Sequence, residues 1–200
     1  MQHLNWNQTS DQEQASVMAS NWLLNCHILD TETTGLDDKA EIVEISIIDQ
    51  LGNVVFDSLV KPQQPIPAEA TAIHGITNDM VATAPSWADI HDDVCRIVSG
   101  KPLVIYNADY DIRLMAQTAA LYGLQQVTAT AGIHCAMLAY AAFYGDWNDY
   151  KGSYRWQRLT NAAAQQGVVT DGQAHRALAD VMMTLGVLQA MARQRVGGKA

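Results

Sequence analysis

Three apolar runs separated by polar turns constrain this chain more than any other feature. Cys26 to Thr31 carries Ile28 and Leu29. Glu41 to Ile48 carries Ile42, Val43, Ile45, Ile47 and Ile48, and Val54 to Val60 follows the turn pair Gly52-Asn53. Short runs rich in β-branched residues and bounded by turn residues read as strands, and consecutive strands of this kind form an antiparallel meander. After the proline-rich connector Lys61–Pro67 the pattern changes. Short helices are expected at 68–74 and 77–82, and a longer one from Ser86 to Val98 with Trp87, Ile90, Val94 and Ile97 at helical spacing. Leu103–Tyr106 is an apolar strand, followed by a helix from Asp109 to Tyr122 that Gly123 stops. A last strand at Ile133–Cys135, a helix to Tyr144, a helix from Trp156 to Gln166 and a final helix from Ala174 to Arg193 complete the series. The final helix is expected to turn Leu178, Val181, Met182, Leu185 and Leu188 inward. At the other end, Ser10-Asp11-Gln12-Glu13 has the form of a capping box, so a helix from there to Leu24 is expected after a loose start. Three strands in succession, then alternating strands and helices, give an α/β fold with a mixed sheet flanked by helices.

Composition excludes several classes. With 200 residues, 48% hydrophobic and 16% charged, the chain can bury a substantial core. Its three cysteines, Cys26, Cys95 and Cys135, form no CxxC pair, so neither a disulfide framework nor a zinc knuckle is indicated and a reducing cytoplasm fits. No signal peptide or membrane span is read. The net charge of −9 argues against binding nucleic acid by charge alone. Residues 1–100 hold 15 acidic and 3 basic residues, net −12, whereas residues 101–200 hold 6 and 9, net +3. A polyanion would favour the second half, or need cations to meet the first.

Three segments carry chemistry. Asp30 and Glu32 lie two apart at a strand end, so both carboxylates leave one face with Cα atoms roughly 6.5 Å apart. That spacing suits shared hard cations, and Thr33-Thr34-Gly35 then turns the chain. Tyr106-Asn107-Ala108-Asp109-Tyr110-Asp111 spans a strand-to-helix joint, where α/β proteins place their sites. Either Asp109 or Asp111 could serve there; Asp109 could equally be an N-cap. In His175-Arg176-Ala177-Leu178-Ala179-Asp180, five residues would separate the outer two by about 140° on one helix. Asp180 therefore fits the helix and His175 the loop or first turn before it, with Asp171 and Gly172 supplying that loop.

Together these segments resemble the three motifs of the DEDDh 3′–5′ exonucleases, the DnaQ-like superfamily that includes the proofreading exonuclease of bacterial replicative polymerase. DxExTG matches Asp30, Glu32, Thr34 and Gly35; NxxF/YD matches Asn107, Tyr110 and Asp111; HxxxxD matches His175 and Asp180. Arg176 stands where the tyrosine subgroup would have its tyrosine. The resemblance runs from about Leu24 to Met191 and selects Asp111 over Asp109. It implies an RNase H-like five-stranded mixed sheet, with residues 25–193 as the exonuclease domain, 1–24 as a partly helical extension and 194–200 as a flexible tail. It further implies hydrolysis by two Mg²⁺ ions per site, with Mn²⁺ as a substitute. Asp30, Glu32, Asp111 and Asp180 are the ligands, and His175 is the general base. The product would be a 5′-mononucleotide, taken from the 3′ end of DNA, or of RNA in a sibling activity. A catalytically silent binding module is the contrasting class, against which the intact acidic set argues. Thr33, Thr34, Gly35, Leu36, His74 (within Ile73-His74-Gly75-Ile76-Thr77), Asn107 and Tyr110 are candidates for holding the terminal nucleotide. Trp147, Tyr150, Lys151, Tyr154, Arg155, Trp156 and Arg158 interleave aromatics with bases, the composition of a single-strand platform; simple packing of Trp156 and Leu159 is the other reading. A polymerase partner would have to act in trans.

Overall fold

The computed structural model describes residues 6–169 and 175–193. The elements run α1 (Trp6–Trp22), β1 (His27–Thr33), β2 (Ile42–Asp49), β3 (Val54–Leu59), α2 (Ala68–His74), α3 (Asn78–Val81), α4 (Trp87–Ser99), β4 (Leu103–Ile105) and α5 (Ala108–Leu121). They continue with β5 (Ile133–Cys135), α6 (Ala136–Tyr144), β6 (Trp147–Asn148), β7 (Ser153–Tyr154), α7 (Leu159–Gln165) and α8 (Ala177–Arg193). Five strands form one mixed sheet in the order β3-β2-β1-β4-β5. The expected meander is its antiparallel half, and β4 and β5 join β1 in parallel.

The strand period of two sorts the sheet's side chains into two layers. Leu29, Ile45, Ile47, Leu103 and Ile105 pack beneath α4 and α5 against Trp87, Val94, Val98, Leu114 and Met115. Ile28, Ile48, Val104 and Tyr106 pack on the other face against Ala15, Ala19 and Trp22 of α1, Tyr140 and Phe143 of α6, and Val181, Leu185 and Leu188 of α8. Ile28, Ile45, Ile47 and Ile48 are fully buried; truncating any one to alanine should cost about 2–5 kcal/mol. Asp30 and Glu32 continue the phase of Ile28, so they emerge on the α8 face. Across β2 they stand opposite Ser46 and Glu44.

Several expectations need correction. Helix α1 begins by Trp6, so Ser10–Glu13 lies inside it and is not its start. Glutamine, glutamate and alanine favour helix, and the packing of Ala15, Ala19 and Trp22 holds the element together. Asn107, not Asp109, occupies the N-cap position of α5. The helix expected from Trp156 starts only at Leu159. Asn148 and Gly152 close a small β6–β7 hairpin before it. On α8, Val181, Leu185 and Leu188 are buried as expected, but Met182 is 39% exposed and Met183 is buried in its place. This helix packs on α1 and α7 as well as the sheet, so its buried arc is wider than one stripe. Asp171, Gly172, the Gly197-Gly198 stop and the 194–200 tail lie outside the described residues. Cys26, Cys95 and Cys135 are all free thiols. No described helix is long and apolar enough to cross a membrane.

Candidate active site

The carboxylates meet where α8 starts across the face of β1. Asp30, Glu32 and Asp180 each offer an oxygen, and these oxygens all lie within 4.8 Å of one another. All three side chains are partly exposed, which leaves a mouth to solvent. Asp111, from the first turn of α5, is buried beside them, and its Oδ1 accepts from Thr31 N at 3.1 Å and Thr31 Oγ1 at 2.7 Å. Thr31 points to the opposite sheet face from Asp30, so it ties Asp111 to β1 without entering the cluster. Asp109, one helical step away, is exposed.

Repulsion and burial dominate the electrostatics. Burial pushes the Glu32 carboxyl up to about 8, with Asp180 and Glu44 adding to the effect. Burial likewise raises Asp111 to about 7, against the hydrogen bonds from Thr31. Asp30 is raised well above the usual carboxylate range by burial and then by Asp111, Asp180, Glu32 and Glu44. Asp180 is raised by burial, partly offset by the His175 backbone and ring. Carboxylates gathered this way resist ionising together unless a cation joins them. An all-oxygen donor set open on one side suits a hard divalent cation such as Mg²⁺ or Mn²⁺ that retains water ligands.

Arg176 offsets the repulsion at Glu32 only in small part. Arg176 is committed to Glu44: Nε donates to both carboxylate oxygens at 3.1 Å and Nη2 to Oε1 at 2.5 Å. The other Glu44 oxygen accepts from Ala177 N at 2.9 Å. Glu44 therefore caps the first turn of α8 from across the sheet, where a carboxylate also complements the helix dipole. His175 immediately precedes this clamp. Its φ of +64° is a left-handed conformation that a non-glycine residue adopts only when its surroundings impose it. Its N–H points to Asp180 Oδ1 at 3.4 Å, and its side chain is exposed at the mouth. The expected division, Asp180 on the helix and His175 before it, is what is found.

Among the remaining candidate residues, Thr33, Gly35 and Tyr110 are joined by hydrogen bonds. Thr33 Oγ1 donates to Gly35 O at 2.9 Å and lies 2.7 Å from Tyr110 Oη, which donates to Gly35 O at 3.0 Å. Tyr110 thus packs and fixes the Gly35 loop, and the Arg113 guanidinium covers its ring at 5.3 Å. Thr34 Oγ1 accepts from Glu41 N at 2.9 Å. Leu36 is 79% exposed, and Asn107 is exposed with no side-chain capping bond. His74 is buried, and its Nδ1 accepts from Ile76 N at 3.0 Å. Burial lowers its pKa, partly offset by the Thr33 backbone, so the ring is neutral with Nε2 as the donor.

Sequence reasoning missed Glu44, Arg176 and Thr31 as parts of this site. Glu44 carried a signal: it is a charged residue in the phase of Ile48, on a strand whose other inward positions are apolar or small.

The chain is similar to known exonucleases in sequence and in fold. The RNase_T exonuclease family matches residues 27–188. The uncharacterized exonuclease CP81 of Escherichia phage 186 is 52% identical over 190 residues, spanning 92% of this chain and 96% of that protein. The DNA polymerase III subunit epsilon of Treponema pallidum is 29% identical over 184 residues, 87% of this chain and 82% of that one. Among solved structures, exonuclease X in complex with 5′ overhanging duplex DNA is similar with a TM-score of 0.61 and 27% identity, covering 88% of this chain and 94% of that chain. The fold is RNase H-like, and the chain belongs to the RNase_T family of exonucleases, hydrolases of nucleic acid.

Proposed function

We propose that this protein is a DEDDh-type 3′–5′ exonuclease that releases 5′-mononucleotides from single-stranded or frayed DNA. The observation that carries the reading is the convergence of Asp30, Glu32 and Asp180 oxygens within 4.8 Å, with exposed His175 at their mouth, on a chain of the exonuclease family. DNA is favoured because relatives are named as DNA polymerase III epsilon subunits and a similar structure holds duplex DNA. Those epsilon names also support a replication protein as a partner in trans.

Asp30, Glu32 and Asp180 would hold one divalent cation, and Asp30 and Asp111 would serve a second, with Asp111 held in place by Thr31. Bound there, two Mg²⁺ ions supply charge stabilisation for the attacking and leaving oxygens of an in-line displacement. His175 takes the proton from the attacking water, a role for which an exposed imidazole beside a carboxylate cleft is suited. The positive φ at His175 and the Glu44–Arg176 clamp set where its ring can reach. Gly35 and Leu36, fixed by Thr33, Thr34 and Tyr110, form the floor for the terminal nucleotide. Exposed Asn107 is a candidate polar contact for that nucleotide, and buried His74 supports the Thr33 backbone from behind.

Polarity and product are tested with one oligonucleotide labelled in turn at each end. A 3′ label should be released at once as a mononucleotide, and a 5′ label should move down a ladder. Immediate release of the 5′ label would overturn the polarity, and equal rates on an RNA version would overturn the DNA preference.

A further inference from the structure

Four tryptophans whose side chains are described divide sharply by environment. Trp22 and Trp87 are core residues, 7% and 0% exposed, whereas Trp147 and Trp156 are 42% and 68% exposed. Both exposed rings belong to the hairpin and its exit. That short stretch also holds Tyr150, 97% exposed, and the exposed bases Lys151, Arg155 and Arg158. Single exposed aromatics are ordinary, but a run of them among bases marks a contact surface for an anionic, aromatic partner.

This surface is ordered. Trp147 pairs with Tyr154 and Asn148 with Ser153. Asn148 Oδ1 accepts from Tyr150 N at 3.1 Å and Lys151 N at 3.2 Å, and Gly152, at φ +62°, closes the turn on Asn148 O at 2.9 Å. The Trp147 ring meets Tyr154 edge-on at 5.0 Å, and Tyr154 Oη donates to Asp11 at 2.7 Å, tying the hairpin to α1. Tyr150 is therefore held out in water by a closed turn.

The sheet register places the exit segment beside the carboxylates. Leu29 pairs with Ile105 in parallel, so Tyr106 stands level with Asp30 and on the same face. Tyr106 Oη donates to Gln157 O at 3.0 Å. Gln157 thus lies over Tyr106, on the β4 side of the cluster. The opposite side, toward β2, presents Glu44 and the acidic first half of the chain.

We propose that the β6–β7 hairpin and Trp156 form a track for single-stranded polynucleotide running away from the carboxylate site. Tyr150 and Trp156 stack on bases, and Lys151, Arg155 and Arg158 meet phosphates. Arg155 holds Asp146 only across 3.5 Å at the surface, a pairing that a phosphate can replace. This inference rests on the exonuclease reading but is separable from it, because binding can be measured without hydrolysis.

The experiment follows anisotropy of labelled DNA and RNA oligonucleotides of about twelve nucleotides in chelator, with the full chain and two variants. Tyr150→Ala/Trp156→Ala should weaken binding roughly tenfold or more. Lys151→Gln/Arg155→Gln/Arg158→Gln should reduce the slope of log affinity against log salt by about 2, at about 0.7 per phosphate contact. With Mg²⁺, turnover of a dinucleotide should fall far less in both variants than turnover of the twelve-nucleotide substrate. Unchanged affinity and unchanged salt slope would overturn the track while leaving the exonuclease intact. Track-dependent binding by a chain that hydrolyses neither substrate would overturn the exonuclease reading and keep the track.

Discussion

Replacing Arg176 by methionine removes the guanidinium and keeps much of the stem volume. Glu44, whose side chain is 6% exposed, then loses three close donor contacts and retains only Ala177 N. Stripping one partner from a buried ion pair costs about 3–5 kcal/mol. Arg176 keeps 35% of its side chain in water, so solvent screens part of that, and we take about 2–3 kcal/mol. The kinetic effect should be larger than the stability loss suggests. The clamp is adjacent to His175, and a misplacement of about 1 Å at a reacting group costs on the order of a hundredfold. Urea unfolding and turnover on a labelled oligonucleotide measure the two effects. Arg176→Lys should recover little, because an ammonium cannot bridge both Glu44 oxygens as the fork does. In a His175→Ala background the turnover loss from Arg176→Met should nearly vanish, since the two changes act on one step. Wild-type stability and turnover in Arg176→Met would refute the clamp. A full turnover loss persisting without His175 would refute its action through that residue.

Three further perturbations follow from the same geometry. The raised carboxylates of the metal-free site bind protons in the folded state that the unfolded chain has released. Stability without metal should therefore fall as pH rises from about 4.5, the unfolded glutamate range, to about 8, the folded Glu32 value; Mg²⁺ should flatten that fall, and a pH-independent melting temperature in chelator would contradict it. Thr31→Val removes the 2.7 Å bond to Asp111 and leaves the backbone one, so stability should drop by about 1 kcal/mol and half-maximal activity should need more Mg²⁺; an unchanged Mg²⁺ dependence would count against Asp111 as a ligand. In α8, a Cβ on Gly186 would meet Val168 Cγ1 at 2.5 Å, and valine's stiff side chain yields little, so Gly186→Ala should destabilise by about 1–3 kcal/mol in thermal melts.

The strands were legible because β-branched alternation depends on the chain alone: β1, β2 and β3 fall within a residue or two of their expected limits. The acidic positions were legible for the same reason. A period of two fixes Asp30 and Glu32 on one face, and the angular argument separates His175 from Asp180. What failed depended on contacts distant in sequence. The Ser10–Glu13 signal is local, but the helix it was read into is held by packing on α6 and α8. The hairpin at 147–154 was hidden because two-residue strands carry almost no periodicity. Glu44 and Arg176 are 132 residues apart, and only the sheet and α8 bring them together. Thr33 is a candidate for the terminal nucleotide and Tyr110 for stacking on it or simply packing beside Asp111; the structure adds that their hydroxyls are engaged with each other and Gly35. Motif spacing names the residues of a site without saying which of them brace the others.

On the proposed function, Asp30, Glu32, Asp111 and Asp180 act only by holding divalent cations. The most direct test is the initial rate of 3′-nucleotide release against Mg²⁺ concentration, for the wild type and for Asp30→Ala. The expected result is no release in chelator, a saturable rise with Mg²⁺ in the wild type, and background rates at every concentration for Asp30→Ala. Release that survives chelator, or a wild-type curve in Asp30→Ala, would contradict it.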